Sequence, residues 1–463
     1  MGKHHVVIGG GPAAINAVET IRGIDKCGSR ITLVCDEPAH SRMALPYWLA
    51  EQIPREHTYT ADSAYWQRLD VDARIGVRAE GIDSEAGNVA LSDGSRLGFD
   101  ELLIATGSSA LDLPAPGTDL AGVQTLWTLS DTERALAAGR ITDRPRVVLI
   151  GAGFIGLIVL NAMFKRGWRL TVIEREPQVL PRMLNHASAA LAERWLVARD
   201  VDVRTGVGVQ AIRSSTDGAK TVDLDNGSSV EADLVIVATG VRPNLDLLVN
   251  AGIAADQGVL VDDHMRSSHS HIYAAGDVAQ GPVLCHAGTA LHAIQPTAVD
   301  HGRVAGANMA GCEVRYPGSL LMNVLDVCGL QCASFGNWSD ANADVMTIHN
   351  PEGHIHRQLL WTGDTITGAV FVGRANDLGM LSDVGMVKGI MQTRTSLGPW
   401  KEFLAKSPFD IRRAYVATGV ASKLVHTTLL GAPSRARKYR YRDVHSRTVA
   451  NPAHSVYMES RHD

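Results

Sequence analysis

Two short glycine runs are the part of this sequence whose spacing answers to chemistry. The first, Gly9-Gly10-Gly11-Pro12-Ala13-Ala14, follows the apolar run Val6-Val7-Ile8; the second, Gly151-Ala152-Gly153-Phe154-Ile155-Gly156, follows Val147-Val148-Leu149-Ile150. A leading glycine allows a tight turn, a second lets backbone N–H groups approach a pyrophosphate, and a small third residue (Ala14 or Gly156) lets the following helix pack on the strand. The helix N-terminus then faces the phosphates. Each run leads to a second strand that ends on an acid: Asp36, 22 residues past Ala14 and followed by Glu37, and Glu174, 18 residues past Gly156. An acid so placed accepts a hydrogen bond from a ribose hydroxyl. Glu174 therefore favours NADH over NADPH, with the neighbouring Arg175 as the counter-signal.

Other reactive side chains show less pattern. Cysteines at 27, 35, 285, 312, 328 and 332 form neither a disulfide framework nor a CxxC knuckle. Cys328 and Cys332 fall in a strand region, where each reads as a small core residue. The 18 histidines include no HExxH spacing, so no metal site is expected, and His354 with His356 reads as the solvent face of a strand. Tyr65 and Trp66 read as core.

The elements that must position these residues come from a chain of 463 residues, long enough for two to three domains. A hydrophobic share of 45% and a charged share of 20% fit a globular protein. No apolar run of about 18 residues occurs, so neither a membrane span nor a signal peptide is expected, and the cytoplasm fits best. A net charge of −5 argues against nucleic acid as a partner. Alternating segments at 71–77 and 89–91, with an Asp93-Gly94 turn, predict strands, as does the region 201–230 with its Asp225-Asn226-Gly227 turn. Buried strands are predicted to end at Ala105-Thr106-Gly107, Thr239-Gly240 and Gly276-Asp277. The segment 38–49 should start as a loop and continue as a helix.

Two glycine signatures, two Ala-Thr-Gly strand ends, Val241-Arg242-Pro243-Asn244 and Ala275-Gly276-Asp277, in this order, resemble the FAD-dependent pyridine nucleotide-disulfide oxidoreductase family. Within it the sequence looks most like the ferredoxin/rubredoxin reductase, NADH oxidase and nitrite reductase branch. The resemblance implies an α/β fold of two Rossmann-like dinucleotide-binding domains plus a smaller α+β C-terminal domain. Residues 1–113 and 243–311 would form an FAD domain, interrupted by an NAD(P)H domain at 114–242. Residues 312–431 would form an interface domain, with strands near 331–335, 356–361 and 369–372. Residues 432–463 read as an extended tail.

By the same resemblance FAD would meet Gly9, Gly11, Pro12, Ala13, Ala14, Asp36, Glu37, Arg42, Ala79, Ala105, Thr106, Gly107, Gly276, Asp277, Pro296 and Thr297. A helix starting near Gln295 would point its positive end at the isoalloxazine. NAD would meet Gly151, Gly153, Phe154, Ile155, Gly156, Glu174, Arg175, Thr239 and Gly240.

Two departures from the family pattern narrow the chemistry. The first-loop cysteine of peroxide- and disulfide-reducing relatives is replaced by Met43, and a thioether cannot form a sulfenate or mixed disulfide. The lysine–glutamate pair that ferredoxin-reductase-like relatives place beside the flavin corresponds to Tyr47 and Ile158; losing both charges together leaves a neutral contact, whereas losing one would strand a buried charge. The flavin carries the redox chemistry itself, so no side-chain acid or base is required.

The expectation is an FAD enzyme exchanging electrons, in either direction, between NADH and an external acceptor or donor, first of all an iron–sulfur protein or a subunit of a larger redox complex. Homodimer and hetero-oligomer both stay open. The alternatives are an NADH oxidase or small-molecule reductase using O₂ or a quinone, and a non-catalytic flavoprotein scaffold. The tail carries the basic segment Ser434-Arg435-Ala436-Arg437-Lys438-Tyr439-Arg440-Tyr441-Arg442, read as an arm for an acidic partner.

Overall fold

The computed structural model describes residues 2–140, 144–214, 218–284, 288–425, 439–441 and 458–460. Cys285 and the basic tail segment, apart from the backbone of Tyr439–Tyr441, lie outside the described residues.

The two glycine signatures sit in two parallel five-stranded sheets with related order. In the first, the strands run Ile272–Ala274, Glu101–Ile104, His4–Ile8, Arg30–Cys35, Val71–Ile75 from edge to edge. In the second they run Asp202–Thr205, Arg169–Glu174, Arg146–Ile150, Leu234–Val237, Val123–Thr125. In both, the strand leading into the glycine turn lies at the centre, paired on both sides. Continuous apolar runs suit that position, because a parallel strand covered on both faces has no wet side. Val6 and Val7, and likewise Leu149, are fully buried. Each sheet also carries a three-stranded antiparallel insert, 79–98 and 209–232, whose turns use the predicted Gly94 (φ 81°) and Gly227 (φ 82°).

The sheets differ in where their last edge strand comes from. The second is complete within 123–237, whereas the first takes Ile272–Ala274 from beyond it, against Leu102–Ile104. The two crossings between them, Ser108–Ala110 and Val241–Pro243, pair as antiparallel strands. The Pro12–Asp25 helix packs closely on the Gln295–Met309 helix. A Cβ on Gly302 would lie 2.2 Å from the Ala13 carbonyl oxygen, and one on Gly306 would lie 2.6 Å from that of Ala17.

Residues from Met322 onward form a five-stranded antiparallel sheet, ordered Met322–Val327, Leu330–Gly336, Thr365–Arg374, Ile355–Thr362, Asp344–Asn350, backed by the Leu378–Gln392 helix. Two sequence readings need correction here. Cys328 is not in a strand: with Gly329 it makes the tight turn of a hairpin, both residues at positive φ (51° and 89°). His356 is not on a solvent face. It is 1% exposed, its ring meets His349 and Asn185 (3.2 Å each), and it joins this sheet to the N-cap of the His186–Val197 helix. A wet strand face and one packed against another domain have the same period-2 pattern, so alternation could not separate them.

Candidate cofactor site

A cavity of about 1130 Å³ opens where the first sheet, the second sheet and the C-terminal sheet meet, larger than the roughly 300–1,000 Å³ of most small-molecule sites. One end is built by the first glycine turn. Gly9 has φ 120°, and a Cβ there would lie 2.2 Å from the Ala105 carbonyl oxygen, so only glycine can turn the chain at this point. Gly11 has no atom within 4 Å of where its Cβ would be and faces the cavity. As the N-cap of the Pro12–Asp25 helix it offers no side-chain cap, leaving first-turn N–H groups for an anion. Beyond the turn the wall carries Asp36, Glu37, Arg42 and Ala79; the Asp36 carboxylate is 2.9 Å from the Arg78 guanidinium.

The middle of the cavity is held by Asp277. Burial pushes its carboxyl pKa up, and it accepts a 2.8 Å bond from the Ser108 hydroxyl. The Ser108 carbonyl in turn accepts from Arg42 Nη1 (2.9 Å) and Trp127 Nε1 (2.7 Å), and the Arg42 guanidinium lies over the Trp127 ring at 5.0 Å. Ala105, Thr106, Gly107 and Gly276 complete this stretch of wall, with Asn244 Nδ2 donating to the Thr106 carbonyl at 2.8 Å.

The far end is more apolar: Met43, Pro46, Ile155, Ile158, Pro296, Met322 and Val324, with Lys388 as its cation. The uncapped N-terminus of the Gln295–Met309 helix opens here. Two candidate residues are not on this wall. Tyr47 is 53% exposed, and its place is taken by Pro46 one residue earlier; successive side chains of the Leu45–Leu49 helix diverge, so a one-residue error in register exchanges a lining residue for an outer one. Thr297 is buried and its hydroxyl meets His292 Nδ1 at 2.8 Å, away from the cavity. Ala14, fully buried, serves packing rather than lining.

The second glycine turn repeats the first. Gly151 (φ 104°) has the Ala238 carbonyl oxygen 2.4 Å from its would-be Cβ, Gly153 is open, and a Cβ on Gly156 would strike the Gly151 carbonyl oxygen at 2.2 Å. Glu174, at the end of its strand, accepts the Ala152 N–H (2.7 Å) and the Glu176 N–H (2.9 Å). Arg175 points outward, 84% exposed, and Thr239 and Gly240 (φ 145°) follow the neighbouring strand. Phe154 and Ile155, at the start of the Phe154–Lys165 helix, line the first cavity, so this turn adjoins its apolar end.

Sequence reasoning did not single out Trp127, Ser108, His292, Met322–Val324 or Lys388. Ser108 directly follows Thr106-Gly107 and could have been found from that adjacency; His292 stands behind the wall as the partner of Thr297, and Trp127, Met322–Val324 and Lys388 come from distant segments that only the tertiary fold brings to the cavity. The carboxylate–imidazole cluster Asp262, Asp263, His264 lies elsewhere. It is occupied by its own contacts, His264 Nδ1 to Asp263 at 2.8 Å and Arg315 to Asp263 at 3.1 Å. Among the described residues no helix is long and apolar enough to cross a membrane.

The donor set fits FAD: an open glycine turn with free N–H groups for a pyrophosphate, acids at one end for ribose hydroxyls, and an apolar slot at the other for a fused ring. The comparisons with known proteins agree. The model of the family "Pyridine nucleotide-disulphide oxidoreductase" matches residues 3–292. The NADH-dependent phenylglyoxylate dehydrogenase subunit epsilon of Aromatoleum evansii is 28% identical over 415 residues, covering 88% of this chain and 96% of that protein. The anthranilate 1,2-dioxygenase system ferredoxin–NAD(+) reductase component of Burkholderia cepacia is 33% identical over 319 residues, covering 67% of this chain and 76% of that protein. The fold matches that of the covalent putidaredoxin reductase–putidaredoxin complex with a TM-score of 0.80 at 24% identity, over 90% of this chain and 99% of that one. Two dinucleotide turns, a cavity joining them and a family match over 3–292 lead to one conclusion: the chain belongs to the pyridine nucleotide-disulphide oxidoreductases, as an NAD(P)H-dependent flavoprotein enzyme whose cofactors are FAD and NAD(H).

Proposed function

We propose that this enzyme exchanges electrons between NADH and an iron–sulfur protein or subunit, with FAD held between residues 1–113 and 243–311 and the nicotinamide cofactor on residues 114–242. The observation that carries this reading is the make-up of the cavity's apolar end. Met43 stands on that wall, and the one described thiol on the cavity wall, Cys35, lies at the opposite end, where its sulfur would be 2.7 Å from a Cβ on Gly10. Burial raises the Cys35 pKa to about 11, so it is not a thiolate at neutral pH. No described thiol is placed to relay electrons, which favours an acceptor that takes them from the flavin directly.

Bound FAD would supply the conversion between two-electron and one-electron steps. The chain's own residues do the rest. Gly9, Gly11 and the first turn after Pro12 would hold the pyrophosphate, Asp277 would accept from the linking chain, and Met43, Pro46 and Ile158 would exclude water from the ring. Gly151, Gly153 and Glu174 would bring the nicotinamide cofactor to the ring by way of Phe154 and Ile155. The similarity to a protein named as a dehydrogenase subunit and to one named as a ferredoxin–NAD(+) reductase component supports a protein acceptor or donor.

The test is anaerobic. Purified holoprotein reduced with NADH is mixed with an oxidised ferredoxin, and ferredoxin bleaching is followed against O₂ and quinone reduction in parallel. Ferredoxin reduction faster than either small acceptor is expected. Rapid turnover with quinone or O₂ and none with ferredoxin would replace the proposal with a small-molecule reductase.

A further inference from the structure

The apolar end of the cavity contains a charge that neither the fold nor the packing accounts for. Lys388, on the Leu378–Gln392 helix, reaches the wall half-buried, among Pro296, Val299 and Asp300 of one helix and Met322–Val324 of one strand. It makes no ion pair or hydrogen bond among the described residues. Asp300 is close enough for the two charges to influence each other but does not pair with Lys388, and Arg303 also acts on Asp300. The other acids on the wall are Asp36, Glu37, Asp246 and Asp277; Asp246 lies 3.8 Å from the Arg242 guanidinium, and the rest belong to the adenosine end and the middle.

A partly desolvated ammonium without a partner is unfavourable unless something negative comes to it. The uncapped N-terminus of the Gln295–Met309 helix opens onto the same space and adds a partial positive charge. Two independent positive features therefore converge where the site leaves room for the flavin ring. Hydride transfer from NADH delivers two electrons and one proton, NAD⁺ departs, and the neutral ring system is left with one net negative charge.

We propose that Lys388, contributed by the C-terminal domain, stabilises this negative charge and so sets the reduction potential of the bound FAD. This rests on the ring occupying the apolar end of the cavity, as in the functional reading above. The C-terminal domain then has a direct electrostatic role at the cofactor.

The holoenzyme and its Lys388→Gln and Lys388→Arg variants would be compared by the dye-equilibrated midpoint potential of FAD and by the dissociation constant for sulfite, which adds to the flavin ring and leaves it negatively charged. Lys388→Gln should weaken sulfite binding about tenfold and lower the two-electron potential by the corresponding ~30 mV, while Lys388→Arg stays near wild type. An unchanged potential and sulfite affinity in FAD-replete Lys388→Gln would overturn the proposal. So would equal loss of FAD from both variants, which would mark a packing role, or a change confined to the salt-dependent KM of a protein acceptor, which would mark a docking cation. Neither titration contains an acceptor, so failure here leaves the iron–sulfur reading standing. Failure of ferredoxin reduction leaves this result standing in turn.

Discussion

Glu174 has two tasks, and they point to one experiment. Its carboxylate already accepts the N–H of Ala152 inside the second glycine turn, so it orders that turn in addition to the ribose contact proposed for it. Glu174→Ala should raise the KM for NADH and narrow the preference over NADPH by about 1–3 kcal/mol, read from kcat/KM for both cofactors. A wild type that prefers NADPH would sink the assignment. Thiols make a second prediction at this scale. Burial lifts Cys35 to about 11 and Cys328 to about 12, and pushes the fully buried Cys332 higher in the same direction, so iodoacetamide at neutral pH should leave NADH-dependent dye reduction intact. Inactivation at one equivalent, prevented by NADH, would reveal a reactive thiol at the site. Residue types at the glycine turns were legible because backbone geometry admits almost nothing else there. Tyr47 and Thr297, carried over from the family resemblance, lie off the cavity wall, because successive side chains in a helical turn diverge and the sequence does not say which of them faces inward.

Among the elements, the crossing of the Pro12–Asp25 and Gln295–Met309 helices is where the cofactor turn is braced. A methyl added at Gly302 meets the Ala13 carbonyl oxygen at 2.2 Å, and Ala13 lies in the first turn behind Gly11. Alanine is the better helix former by about 1 kcal/mol, but forcing the helices apart costs about 1–3 kcal/mol, so overpacking wins. Gly302→Ala should lower the melting temperature and loosen FAD, measured as flavin released on gel filtration; full retention of flavin would mean the helices separate without disturbing the turn. The strands were legible because their apolar periodicity and glycine punctuation are local, whereas the Gln295 helix came from the family resemblance. The role of the hairpin turn at Cys328 was not, because a non-glycine residue at positive φ carries no strong signal in sequence.

At the scale of the molecule, His356 fastens the C-terminal sheet to the second parallel domain through Asn185, with Gln358 sharing the contact. Burial, the largest cause, holds its pKa near 4 against an ordinary value of 6.5. Between these values the unfolded chain binds a proton that the native imidazole refuses, so this contribution is complete above about pH 6.5 and is lost as pH falls towards 4. The loss approaches about 3 kcal/mol over that span, and burial depresses His5 and His301 in the same sense. His356→Gln should flatten the fall of melting temperature between pH 7 and pH 4.5; an unchanged profile would place the acid sensitivity elsewhere. That the C-terminal sheet reaches the cofactor cavity was not legible, because Met322–Val324 and Lys388 are ordinary surface-like residues until the fold closes over them. The late arrival of Ile272–Ala274 and the Gln295–Met309 helix also matters during synthesis. The second parallel sheet has all its strands once residue 237 has emerged, but the first must wait for residues 272–309 with the edge of Glu101–Ile104 unpaired and one face of its first helix bare. At roughly 5–20 residues per second, the stretch from 104 to 309 takes on the order of 10–40 s to translate. The second sheet is therefore complete in the emerging chain before the first, whose strands lie on both sides of it in sequence. The nascent chain spends that interval with an open strand edge for a chaperone to cover or a neighbouring chain to pair with.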